Sequence, residues 1–254
     1  MSPNAWSNLP EGISSKSLPV KDLNMHILDC GEKGAPLLIL LHGFPEIAYS
    51  WRAVIVPLAQ AGYRVVAPDQ RGYGRTTSNA GPAVPIRYQD DLQSFRLMNM
   101  VSDIVALVFA LGYTTVHTVI GHDFGSAIAG SCALIRPDIF KSVVLMSAPF
   151  IGPPQLPFDI VDKPAKQDNI PAMLPRGFLE LSQLGPPKKH YMAYFAGPTA
   201  NVDMLQAPQG LHAFLRGYFH IKSAKWKEND PHLLPSSQSC LTTISCRWKL
   251  QWPM

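Results

Sequence analysis

Apolar runs recur along the chain up to Pro149 at intervals that alternate between strand and helix periods. Leu37 to Leu41 is an unbroken apolar run ending in His42-Gly43-Phe44-Pro45. Such a run reads as a parallel strand buried on both faces. Residues 24–30 alternate in the manner of a strand, and Tyr63 to Ala67, Val116 to Ile120 and Val143 to Met146 give three more. Between them lie helical segments. Trp51 to Gln60 is closed by Gly62, and Ser126 to Ile135 ends with the help of Pro137. Leu97, Met100, Val101, Ile104, Val105, Val108 and Leu111 recur at three and four residues, which predicts an amphipathic helix stopping at Gly112. Strands alternating with helices predict an α/β fold with a mostly parallel sheet and helices on both faces.

After Pro149 the texture changes. Prolines crowd as far as Pro175, and helix-like segments follow without intervening strands. The expected organisation is an α/β core over 15–149, an inserted helical lid over 150–235, and an unpatterned tail over 236–254.

Composition narrows the classes. The 254 residues are 46% hydrophobic and 16% charged, the balance of a globular protein rather than a disordered one. The net charge of +4 comes from scattered Lys and Arg, with no basic run interleaved with aromatics, so nucleic-acid binding is not expected. The start of the chain lacks the pattern of a signal peptide, and Ile104 to Leu111 is too short to span a membrane. Cys30 and Cys132 read as small core residues; Cys240 and Cys246 have no companions at zinc-site spacing. A cytoplasmic protein without metal or cofactor is the expectation, with oligomerisation left open.

The chemistry centres on Gly121-His122-Asp123-Phe124-Gly125, placed between a predicted strand and a predicted helix. A sharp strand-to-helix turn lifts its central residue above the sheet, and flanking glycines allow strand and helix to meet closely. The following helix N-terminus favours developing negative charge. Asp123 is the candidate nucleophile; the bland alternative is a helix N-cap. A carboxylate suits attack on a saturated carbon bearing a leaving group, as in an epoxide or a haloalkane, giving an alkyl ester that water then cleaves. The second step needs an oxyanion hole, with the backbone N–H groups of Phe44 and Phe124 as its expected donors. His42 and His122 flank the working atoms and read as structural hydrogen-bond partners, and His117 as a strand residue.

His42-Gly43-Phe44-Pro45-Glu46, Ser50-Trp51-Arg52, Ala67-Pro68-Asp69-Gln70-Arg71-Gly72-Tyr73-Gly74 and Gly121-His122-Asp123-Phe124-Gly125-Ser126 together resemble the soluble epoxide hydrolase family of the α/β-hydrolase fold, particularly its fungal members. The resemblance covers roughly residues 15–235. It implies a small-molecule epoxide substrate, a diol product for detoxification or secondary metabolism, and lid tyrosines that hydrogen-bond the leaving oxygen. Tyr191, in His190-Tyr191-Met192-Ala193-Tyr194-Phe195, is the position that matches the first of these. Tyr194 reads as a packing residue. A haloalkane dehalogenase is the neighbouring alternative, but dehalogenases commonly carry a tryptophan where this chain has Phe124.

The resemblance also implies a histidine base and an orienting acid, supplied by strands that follow the lid. Neither is found at the expected place, and the second lid tyrosine is missing too. The sheet is therefore expected to lack its C-terminal strands, and a non-catalytic remnant is the other alternative. Asp159, Asp162, His190, His212, His220 and His232 read as lid surface residues rather than replacements. The tail, residues 236–254, reads as the product of a frameshift, because a displaced reading frame can encode a family-like continuation.

Overall fold

The computed structural model describes residues 8–79, 86–150, 152, 194–221, 223 and 225–226. The chain divides into two compact units, Met1–Pro153 and Pro154–Met254.

The first unit is built on strands β1 (Ser14–Val20), β2 (Leu23–Cys30), β3 (Leu37–Leu41), β4 (Arg64–Pro68), β5 (Thr77–Ser78), β6 (Thr118–His122) and β7 (Val143–Met146). They form one mixed sheet in the order β1-β2-β4-β3-β6-β7, with β5 pairing to β2. The half β4-β3-β6-β7 is parallel throughout. β1 and β2 form an antiparallel hairpin, and β2 joins β4 antiparallel.

Helices α1 (Arg52–Gln60), α2 (Leu97–Ala110) and α3 (Phe124–Ile135) cover the sheet. β3 is Leu-Leu-Ile-Leu-Leu with every side chain buried, as expected of a parallel strand between two helical layers. Its alternate residues feed different cores. Leu37, Ile39 and Leu41 join Met25, Ile27 and Val119 against Ile104 and Leu107 of α2 and Ile128 of α3. Leu38 and Leu40 join Leu28, Val65 and Ala67 against Ile55 of α1, with Trp51 beside it. Burying one such aliphatic side chain contributes about 1.5–3 kcal/mol, so the two faces together hold the strand in register.

Several details differ from the pattern of the sequence. β2 is buried nearly without interruption from Met25 to Asp29, because β1 and β4 flank it and ion pairs cover its polar side chains. β6 starts at Thr118 and reaches His122, while Val116 makes only an isolated bridge to Phe140. α3 starts at Phe124, two residues before the expected point, so Asp123 stands at the junction itself.

Charge clusters tie the hairpin to the rest of the sheet. Asp29 accepts from Arg64 (Nε 3.1 Å, Nη2 2.8 Å) and from Lys16 Nζ (2.6 Å). Arg71 bridges Asp22 and the buried Asp103 of α2, and Lys21 also donates to Asp103 (2.9 Å). Among the described residues β7 pairs only with β6, and Val143, Val144 and Met146 are exposed on it.

In the second unit, α4 (Ala200–Leu205) and α5 (Gly210–Ile221) are described. Tyr218 of α5 is buried, in edge contact with Phe195 and Phe219. Among the described residues no helix is long and apolar enough to cross a membrane.

Candidate active site

β6 delivers the chain to the C-terminal edge of the parallel strands, and α3 leaves from the same point. The turn between them needs an unusual backbone: Asp123 has φ 55° and ψ −119°. Non-glycine residues held there cost on the order of 1–3 kcal/mol and persist only where the surroundings enforce them. The surroundings here are close-packed backbone. A Cβ on Gly121 would meet the Gly125 carbonyl oxygen at 2.2 Å, and a Cβ on Gly125 would meet the Leu41 carbonyl oxygen at 2.2 Å. Ser126 fastens the turn to β7, since its Oγ accepts the Met146 N–H (3.1 Å) and donates to the Gly121 carbonyl (2.8 Å). The Asp123 N–H donates to the Met146 carbonyl (3.0 Å).

The side chain of Asp123 does not cap α3, although the residue occupies the N-cap position. Its Oδ1 instead accepts the backbone N–H of Phe44, 3.1 Å away, from the loop after β3. That loop lies against the carboxylate: a Cβ on Gly43 would sit 2.4 Å from Asp123 Cβ. Phe124 opens α3, so its N–H is one of the first four that have no acceptor within the helix. The structure thus brings together three of the four residues singled out in the sequence, Asp123, Phe44 and Phe124. The fourth, Tyr191, lies outside the described residues, as do Asp159, Asp162, His190 and His232.

The histidines near the turn have partners. His42 is fully buried, with Nδ1 2.9 Å from the Gly43 carbonyl and Nε2 accepting the Gln70 N–H at 3.1 Å. The donor on Nε2 places the ring proton on Nδ1, and burial pushes the His42 pKa down, so the ring stays neutral. Tyr73 packs edge-on against it at 5.0 Å; burial, and then the charge of Asp123, raise the Tyr73 pKa. His122 Nδ1 lies 3.0 Å from Glu46 Oε2, which also accepts the Gly43 N–H at 3.2 Å. Glu46 therefore ties the Phe44 loop to the end of β6. It stands in a motif quoted above, yet nothing in the sequence showed its partner, which is 76 positions away.

His117 is exposed and stacks beside Tyr63 (5.4 Å). His212 and His220 lie on exposed positions of α5, and the Tyr194 hydroxyl donates to Asp203 Oδ2 (2.8 Å). Burial and that carboxylate raise the Tyr194 pKa. Cys132 is buried in α3 and Cys30 half-buried at the end of β2. Among the described residues no group of three or more His, Cys, Asp or Glu could hold a metal ion.

A strained acid at a strand-to-helix turn, facing a backbone N–H from the loop after a buried strand, is the layout of a nucleophile elbow. Residues 36–178 match the family model described as alpha/beta hydrolase fold, a span that contains both parts of this layout. The chain belongs to the α/β-hydrolase fold family. Within this family it is similar to epoxide hydrolases. It is 42% identical over 137 residues to epoxide hydrolase 3 of Siraitia grosvenorii, covering 54% of this chain and 39% of that one. It is 37% identical over 135 residues to epoxide hydrolase A of Mycobacterium tuberculosis, covering 53% and 38%. The structure of epoxide hydrolase I of potato (Solanum tuberosum) matches with a TM-score of 0.62 at 30% identity, over 92% of this chain and 69% of that one. The matched region spans about two fifths of the length of these two curated relatives.

Proposed function

We propose that Asp123 is the nucleophile of an epoxide-opening reaction. One Asp123 oxygen attacks an epoxide carbon, the carbon–oxygen bond breaks toward the ring oxygen, and a hydroxyalkyl ester forms on the carboxylate. The observation that carries this reading is the hydrogen bond from the Phe44 N–H to Asp123 Oδ1 (3.1 Å), in a side chain that leaves its own helix uncapped. The same N–H, with that of Phe124, would hold the oxyanion when water attacks the ester. Tyr191 is proposed as the donor that protonates the departing oxygen. The similarity to proteins named epoxide hydrolases favours an epoxide over a haloalkane.

Hydrolysis of the ester needs a base. Both ring nitrogens of His42 are already engaged, so we propose that this histidine does not serve. The test is incubation of the 254-residue protein with styrene oxide, followed by intact-mass and peptide mass spectrometry and by assay of the diol. The expected result is one hydroxyalkyl group on Asp123, absent from Asp123→Asn. A folded protein that yields neither ester nor diol would overturn the proposal. Sustained diol release that is lost in Asp123→Asn would support the proposal equally.

A further inference from the structure

A second constellation stands apart from the elbow. The hydroxyl of Ser15 lies 2.8 Å from His26 Nε2, and His26 Nδ1 lies 2.8 Å from Asp69 Oδ2. The three residues come from β1, β2 and the segment after β4, so sequence spacing gives no sign of them. The hairpin register makes the contact: Ser17 stands opposite His26, and Ser15 lies two residues along on the same face.

The chemistry of the partners fixes the proton positions. Asp69 is fully buried and accepts the N–H groups of Ala48 (Oδ1, 2.8 Å) and Arg75 (Oδ2, 2.9 Å) in addition to His26. Burial alone would raise its pKa, but the His26 bond and these N–H donors outweigh it and hold the carboxyl below its ordinary value. A carboxylate can only accept, so His26 Nδ1 carries a proton, and whenever the ring holds no second one Nε2 presents a lone pair to the Ser15 hydroxyl. These are the tautomer and the order of contacts by which a serine is activated through a histidine and an acid. His26 is 2% exposed, while Ser15 is only half-buried. Among the described residues β1 pairs with β2 alone.

We propose that Ser15, His26 and Asp69 form a second nucleophilic site, which takes an acyl group from an activated ester. Ser15 Oγ attacks the acyl carbon of an aryl ester and its proton passes to His26 Nε2. The bond from the acyl carbon to the aryl oxygen breaks with its electron pair on that oxygen, which recovers the proton from His26. The products are an acyl ester on Ser15 and a free phenol. Ser15 is the catalytic residue; His26 is the base and Asp69 orients it. This site does not depend on the role proposed for Asp123.

The test uses the full chain with p-nitrophenyl acetate, following p-nitrophenol release and mapping the acetyl group by peptide mass spectrometry. The expected result is one acetyl group on Ser15, lost in Ser15→Ala and unchanged in Ser17→Ala. His26→Gln should slow acetylation by roughly a hundredfold, the lower range for loss of a general base. Circular dichroism establishes that each variant is folded. Absence of acetyl on Ser15 in the folded wild type overturns the proposal. So does acetylation of Ser15 at an unchanged rate in folded His26→Gln, because a triad that only braces the sheet would not move that rate.

Discussion

Asp123 and Gly43 contend for the same small volume. The carboxylate can reach the Phe44 N–H only because position 43 carries no side chain: an added Cβ would lie 2.4 Å from Asp123 Cβ and 2.7 Å from its Oδ1. Gly43→Ala should therefore displace the carboxylate or the loop rather than unfold the sheet. The expected outcome is a roughly hundredfold slower formation of the styrene oxide ester, the effect of misplacing a reacting group by about 1 Å. Single-turnover mass spectrometry measures it, and an unchanged rate would show that the contact does not position Asp123. The residues of this site were legible in unequal degree. Asp123 and Phe124 stood out because the elbow motif is local, and Phe44 because it follows the buried Leu37–Leu41 run. The anchors Glu46 and Ser126 did not, because each acts through a partner on another strand.

Elements with an unbroken or helically periodic apolar pattern announced themselves most clearly. The Leu37–Leu41 run is β3, and the three-and-four spacing from Leu97 became α2 with Met100, Val101, Ile104, Leu107 and Val108 buried. The β1 strand was invisible for the opposite reason. Ser-Ser-Lys-Ser-Leu-Pro-Val is largely exposed, and what holds it is pairing to β2 and the Lys16–Asp29 contact, neither of which leaves a periodic trace. Its antiparallel pairing with β2 was missed with it, although residues 24–30 read as a strand. At this scale one close backbone joint is α3 against β3. Gly125→Ala puts a Cβ 2.2 Å from the Leu41 carbonyl oxygen, and backbone cannot yield as a side chain can. The expected cost is about 1–3 kcal/mol, read as a lower urea midpoint with the far-UV spectrum of the folded state retained. An unchanged midpoint would mean that helix and strand separate without penalty.

Across the first unit, carboxylates join the hairpin, the loop after β4 and α2. Asp22 is pulled down to about 2, its hydrogen bond to Arg71 being the largest cause. Asp29 and Asp69 also lie below the ordinary value, since hydrogen bonds from Arg64 and Lys16 on one, and from His26, Arg75 and Ala48 on the other, outweigh burial. All three are depressed relative to an unfolded aspartate at about 3.9. Their contribution is therefore complete above that value and is lost as pH falls through the folded values. Thermal melts should show Tm falling by several degrees between about pH 4 and pH 2. A flat profile over that window would show that these ion pairs do not contribute to stability.

The left-handed backbone at Asp123 sets two demands on one residue against each other. The conformation with φ 55° is one that glycine adopts freely and aspartate does not. The substitution that would most relax the turn is thus also the one that removes the carboxylate proposed to attack the substrate. A lineage drifting toward greater thermal robustness would meet its readiest gain at the position where it has most chemistry to lose.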